Sequence, residues 1–266
     1  MIRDMLREPI AEFLGVAILV IFGCGVNCSV LLSSAPGISS YPKGDYLAGC
    51  FGWAIGLCLG VWVAGGVSPA HINPAVTLAM ATWRGFAWKK VPVSFIFAQL
   101  LGGFVGAALV YGTYFHAIDT FEGGVGIRTL RTAGLFSAYS IGYMTNVSAF
   151  FTELLATAIL VLVIVALTNT NNTAPPAPFP LAIFIVMLGI GVSLGMQTGF
   201  AMNPARDFGP RLLTAAVGYP GTVFSFRHQY WLWNGIIAPI VGAQLAVALY
   251  DIFLCQEEDS LVLKKL

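Results

Sequence analysis

The sequence predicts an all-α membrane protein, with six transmembrane helices plus two re-entrant half-helices in an inverted repeat. Three observations predict it. The 266 residues are 58% hydrophobic and only 9% charged, with a mean hydropathy of +0.83, whereas a soluble domain carries about 25% charged residues. The apolar runs have lengths near the roughly 20 residues that cross a bilayer. The triplet Asn-Pro-Ala occurs twice, at Asn73-Pro74-Ala75 and Asn203-Pro204-Ala205, each time in apolar surroundings.

In chain order, the first span is expected over about 9 to 32. It is too long for a signal-peptide core, and no small-residue cleavage site follows it. A Gly/Ser/Pro loop leads to a second span over about 46 to 65. Asn favours the helix N-cap and Pro the first helical position, so a helix starts at Pro74. It reaches only about Arg84, too short to cross, and is a half-span. The third span follows over about 91 to 115, and a loop over 116 to 147 holds Asp119, Glu122, Arg128 and Arg131. The fourth span covers about 148 to 168. The Asn/Thr/Pro linker 169–178 cannot be helical throughout. The fifth covers about 179 to 197, the second half-span Pro204 to Ala215, and the sixth about 229 to 254. One transmembrane domain therefore occupies residues 1–266, with repeat one over about 9–115 and repeat two over about 148–254.

The halves match: Glu12 with Glu153, Asn73 with Asn203, Gln99 with Gln244. Each unit has three spans, an odd number, so the second sits upside-down and the broken helices meet near the midplane. With both termini inside, the inner side carries Arg3, Arg7, Arg84, Lys89, Lys90, Lys264 and Lys265 and the outer side Lys43, Arg128, Arg131 and Arg227. That excess has the sign expected for cytoplasmic termini. A net charge of +1 excludes electrostatic nucleic-acid binding as a main role. Five cysteines, Cys24, Cys28, Cys50, Cys58 and Cys255, lie in apolar segments without metal or disulfide spacing.

Several polar residues stand out. Glu12 and Glu153 are carboxylates inside spans, where they are expensive. They could bind a cation or relay protons, or accept hydrogen bonds from re-entrant backbone; their symmetric placement favours the second reading. Asn73 and Asn203 cap the half-helices, and their amides can donate into a lumen. Two facing helix N-termini put positive potential at its centre, which opposes cations and protons. Arg206 must face a wet path or an anion; pairing with Asp207 is disfavoured because neighbouring helical residues point apart. His71 is either an ordinary loop histidine or a proton-sensitive constriction. Asn146-Val147-Ser148 is a glycosylation sequon in an outer loop, while those at Asn27 and Asn171 lie near a span and on the inner side.

The two Asn-Pro-Ala boxes with Glu12, Glu153, Gln99 and Gln244 resemble the aquaporin family (major intrinsic proteins), over roughly 9 to 254. The stretch Gly199-Phe200-Ala201-Met202-Asn203-Pro204-Ala205-Arg206-Asp207 is similar to the glycerol-conducting branch, in which Asp follows Asn-Pro-Ala-Arg. The resemblance implies homotetramers with one pore per protomer. It implies an outer selectivity filter of Trp53, Gly191, Phe200 and Arg206, with Gly191 leaving room where water-selective relatives carry His. It also implies an acceptor ladder of carbonyls from Pro69, Ala70, His71, Gly199, Phe200 and Ala201. Pro69 departs from the branch, which usually has Gly there; Pro keeps its carbonyl and loses a donor.

The expected function is a passive channel in the lipid bilayer, in the plasma membrane. It would conduct glycerol, water and other small neutral solutes and exclude ions and protons. A mainly water-selective channel is the alternative, opposed by Gly191 with Asp207. An adhesive or junctional protein would show a blocked filter or long adhesive loops. A secondary transporter would need an unpaired intramembrane acid. An enzyme would need a nucleophile–base set, and no cofactor is called for.

Overall fold

The computed structural model describes residues 2–169 and 178–255. The sequon at Asn171, linker residues 170–177 and the tail lysines Lys264 and Lys265 lie outside those residues. Among the described residues the structure is helical, with no strands.

α1 (Ile2–Leu32) begins seven residues before the expected span and carries Pro9 inside it. Its first turns project past the apolar run, and Glu8 there accepts from Lys90 Nζ at 2.8 Å. α2 (Tyr46–Ala64) is capped by Asp45, whose carboxylate accepts from the N–H groups of Leu47 and Ala48. α3 (Pro74–Trp83) is the first half-helix. A 3₁₀ turn (Trp88–Lys90) and a π-helical turn (Val91–Phe97) lead into α4 (Ala98–Glu122). α4 runs seven residues beyond the expected end of its span, so Asp119 and Glu122 belong to a helix and not to a loop. Both are held by the following segment: Asp119 accepts from Arg128 Nη1 at 2.7 Å, and Glu122 from the Thr129 and Thr132 hydroxyls. α5 (Leu130–Ala133) is a single turn there.

α6 (Asn146–Thr168) starts with Asn146 itself, exposed and following the Thr145 cap. α7 (Phe179–Leu194) stops three residues short of expectation. Its 16 residues span roughly 24 Å at 1.5 Å each. The second half-helix is α8 (Pro204–Ala216). α9 (Thr222–Ser225) and α10 (Tyr230–Leu232) are short turns, and a π-helical turn (Trp233–Ile237) precedes α11 (Ala238–Phe253). Five of the described helical segments are long and apolar enough to cross a membrane, and α7 is a shorter apolar helix.

α1 packs against α2 and α4, α6 against α11, and α2 against α7. Two equivalent contacts are close enough to demand glycine. A Cβ at Gly102 of α4 would overlap the carbonyl of Phe13 in α1, and one at Gly242 of α11 would overlap that of Leu154 in α6. Such backbone-to-backbone approach is how apolar helices gain dispersion contacts in lipid. Both half-helices end up enclosed, with their N-termini meeting inside the bundle.

Candidate functional site

Each half-helix begins as the sequence predicts. Asn73 Oδ1 accepts from Ala75 N at 2.9 Å, and Asn203 Oδ1 from Ala205 N at 2.9 Å. Pro74 and Pro204 occupy positions with no amide to satisfy. The amide nitrogens do something the sequence did not reveal. Asn73 Nδ2 donates to the Met202 carbonyl at 3.0 Å, and Asn203 Nδ2 to the Ile72 carbonyl at 2.8 Å. Each triplet is tied to the opposite loop, so one hydrogen of each NH₂ is engaged and one is left for the lumen.

The loop before each triplet is neither helix nor strand. Ala70 and Ile72 have φ of 52° and 40°, and Phe200 and Met202 have 40° and 48°. Alternate left-handed residues block helical hydrogen bonding, so the peptide N–H groups need other acceptors. The two buried glutamates supply them. Glu12 accepts from His71 N at 3.0 Å, Ile72 N at 2.6 Å and Ser68 Oγ at 2.7 Å. Glu153 accepts from Ala201 N at 2.9 Å and Met202 N at 2.8 Å. Of the two roles open to these carboxylates, this geometry is the backbone-accepting one. Pro69 fits because it brings no N–H, and the neighbouring Ala70 N is taken by Ser68 Oγ.

The matched glutamines differ. Gln99 Nε2 donates to Glu12 and to Thr77 Oγ1, whereas Gln244 accepts from Trp83 Nε1 at 2.7 Å. Only the first supports a loop glutamate. His71 lies edge-on to Phe86 and tilted against Phe95, at centroid distances of 4.8 and 5.2 Å, and its Nδ1 has no hydrogen-bond partner among the described residues. Its ring packs in an aromatic cluster at the wall of a cavity, while its backbone N–H goes to Glu12.

Two larger cavities, here called vestibules, each share lining residues with a small space between them, Asn73 on one side and Arg206 on the other. One, of about 250 Å³, is lined by Pro69, Ala70, His71, Asn73 and Arg84 among others. The other, of about 380 Å³, is lined by Tyr46, Cys50, Trp53, Gly199, Phe200 and Arg206 among others. Between them a space of only about 20 Å³ touches Asn73, Ala201, Met202, Asn203 and Arg206. The expected carbonyl ladder thus divides, with 69–71 on one vestibule, Gly199 and Phe200 on the other and Ala201 in the middle.

At the larger vestibule's floor the Arg206 guanidinium lies over the Trp53 ring, 3.9 Å from its centroid. Trp53 and Phe200 meet edge to face at 6.4 Å. Trp53 Nε1 donates to Asn27 Oδ1 at 3.2 Å, which satisfies the indole N–H. Arg206 Nη2 donates to Gly199 O at 3.3 Å, while Nε and Nη1 have no hydrogen-bond partner among the described residues. Its Nη1 is 3.8 Å from Asp207 Oδ1, a long contact in keeping with the expected divergence. Asp207 is engaged elsewhere: it accepts from Ala138 N at 2.6 Å and pairs with Arg211 Nη2 at 3.1 Å. Arg211 also donates to the carbonyls of Ala138 and Val223. Sequence reasoning missed Arg211; its spacing of four from Asp207 was the available signal. Gly191 is buried and is a helix contact, since a Cβ there would lie 3.1 Å from Cys50 Sγ and 3.7 Å from Phe200 Cζ. Cys50 and Phe200 are the side chains that border Gly191. Cys24, Cys28, Cys50 and Cys58 are buried free thiols.

A path that narrows between two asparagine-capped half-helices, within apolar helices, is the geometry of a transmembrane conduit. Residues 2–250 match the family described as Major intrinsic protein. The chain belongs to the major intrinsic protein family. It is 59% identical over 97% of its length, and 83% of the relative's, to Aquaporin-6 of Laccaria bicolor. It is 44% identical over 95% of its length to Aquaglycerol porin AQY3 of Saccharomyces cerevisiae, of which it spans 38%. The X-ray structure of the aquaglyceroporin from Plasmodium falciparum matches with a TM-score of 0.79 and 33% identity, over 94% of this chain and 96% of that one. The protein is a multi-pass membrane channel of this family, whose members are passive channels and not enzymes; the two Asn-Pro-Ala triplets and tetrameric assembly are typical of it.

Proposed function

We propose that the chain is a passive channel that conducts glycerol and other small neutral solutes together with water, and excludes ions and protons. The observation that carries this reading is the asymmetric constriction. Trp53 and Phe200 meet edge to face, and the Arg206 guanidinium brings its charge to the same place, 3.9 Å from the Trp53 ring centroid. A polyol has a C–H edge and a hydroxyl edge, and must shed most of its water to enter so narrow a ring. The rings suit the first edge. Arg206 as donor and the carbonyls of Gly199, Phe200 and Ala201 as acceptors suit the second. In this reading Trp53, Gly191, Phe200 and Arg206 form the filter, and Asn73 and Asn203 mark the pore centre. Facing half-helix N-termini and the Arg206 charge repel cations and protons.

The repeats over about 9–115 and 148–254 build one channel domain, supported by the paired roles of Glu12 and Glu153 and of Gly102 and Gly242. The termini lie in the cytoplasm, so the vestibule at Trp53 opens outward; the membrane is the plasma membrane, and four copies assemble, each with its own pore. The test is glycerol influx into proteoliposomes. We expect uptake that stops when concentrations equalise and is indifferent to membrane potential. Uphill accumulation driven by a proton or sodium gradient contradicts the proposal.

A further inference from the structure

We propose that Tyr46 is a positioning residue that sets the width of the outer constriction, and with it the largest polyol that passes. The inference rests on the reading of the lumen as a glycerol path.

Tyr46 opens α2, and the Asp45 cap beside it fixes that helix start. Its hydroxyl donates to the Gly191 carbonyl of α7 at 2.5 Å. That carbonyl also accepts from Gly195 N at 3.2 Å, so the bond is an addition to the last turn of α7 and joins it to α2. A Cβ at Gly195 would lie 2.6 Å from the Tyr46 hydroxyl and would overlap Phe200 Cδ1. The hydroxyl and the Phe200 ring therefore share one notch over a glycine. Four residues along α2, Cys50 Sγ closes the space over Gly191. Three residues further, Trp53 meets Phe200 edge to face. Positions 46, 50 and 53 fall on one helical face, and that face backs Phe200 along its length.

Phe200 has a left-handed backbone, φ 40°, held by the Glu153 bonds to the next two amides. Its ring position is thus set by what stands behind it. Take away the Tyr46 hydroxyl and two things change. The α2–α7 bond is lost, and a space one oxygen wide opens beside Phe200 in the notch over Gly195. The ring can then retreat and the constriction widens. A tyrosine serving only helix packing predicts something else: altered protein yield, with all solutes affected in proportion.

The test is Tyr46→Phe, which keeps the ring. Water, glycerol and erythritol permeabilities are measured by stopped-flow light scattering on proteoliposomes holding equal folded protein. We expect the erythritol-to-glycerol ratio to rise about threefold or more, the scale of one lost hydrogen bond, with water flux nearly unchanged. If the variant folds poorly, Tyr46→Leu, which removes the ring as well, is expected to raise the ratio further. A parent that conducts glycerol, with an unchanged ratio in the variants, overturns this inference alone. A parent that conducts water but no glycerol overturns the functional reading and this inference with it.

Discussion

Glu12 and Glu153 show how a residue that looks out of place in a sequence can be assigned once its partners are known. Each takes two successive loop amides that left-handed backbone has turned away from helical partners. Replacing either with Leu orphans those amides, at a cost of about 1–3 kcal/mol per group. We expect Glu12→Leu and Glu153→Leu to lower folded yield and melting temperature in detergent; a stable variant altered only in cation sensitivity would assign an ion site instead. Arg206→Val acts on the lumen. It removes the fixed charge and leaves the half-helix dipoles as the only barrier, so proton or cation leak should appear in a pH-jump assay on vesicles. Leak equal to the parent's would place the charge barrier elsewhere. The glutamates and Arg206 were legible because a charge inside an apolar run has few explanations. The crossed bonds from Asn73 and Asn203 were not, since their acceptors stand 129 and 131 residues away.

At the scale of elements, α8 is anchored by a clamp that the sequence concealed. Arg211 joins Asp207 of its own helix to the carbonyls of Ala138, in a loop, and Val223, in the short turn α9, and lies 4.5 Å from the Tyr139 ring centroid. Breaking a buried ion pair by removing one partner costs about 3–5 kcal/mol. Arg211→Leu should therefore lower thermal stability sharply, and Arg211→Lys should recover only part, because an ammonium cannot bond three acceptors in a fixed plane. Equal melting temperatures for parent and Arg211→Leu would remove the clamp from the account. The helix starts at Pro74 and Pro204 were readable because capping chemistry is local. The extension of α4 to Glu122 was not. Its polar end looked like loop, and the groups that hold Asp119 and Glu122 come from the segment after it. The π-helical turns at Val91–Phe97 and Trp233–Ile237 left no mark in residue type that distinguishes them from ordinary helix.

At the scale of the molecule, the inverted arrangement was legible from an odd number of spans per repeat and from duplicated boxes. The width of the lumen was not, because it depends on which side chains fill the notches beside glycines. The outer surface of α2 carries Phe51, Ile55, Leu59 and Trp62, all exposed in the single chain. Lipid or a neighbouring copy must cover such a face. Native mass spectrometry from mild detergent should give four copies, and a stable monomer would contradict the proposed assembly. The claim at the centre of the account is that glycerol and water share one lumen, selected where Trp53, Phe200 and Arg206 meet beside Gly191. Gly191→His tests it, since an imidazole forced against Cys50 and Phe200 must push into the ring. The decisive measurement is the glycerol-to-water permeability ratio in proteoliposomes with equal folded protein. The account predicts a high ratio in the parent and a steep fall in Gly191→His, because water still passes in single file and a carbon chain does not. An unchanged ratio would contradict it.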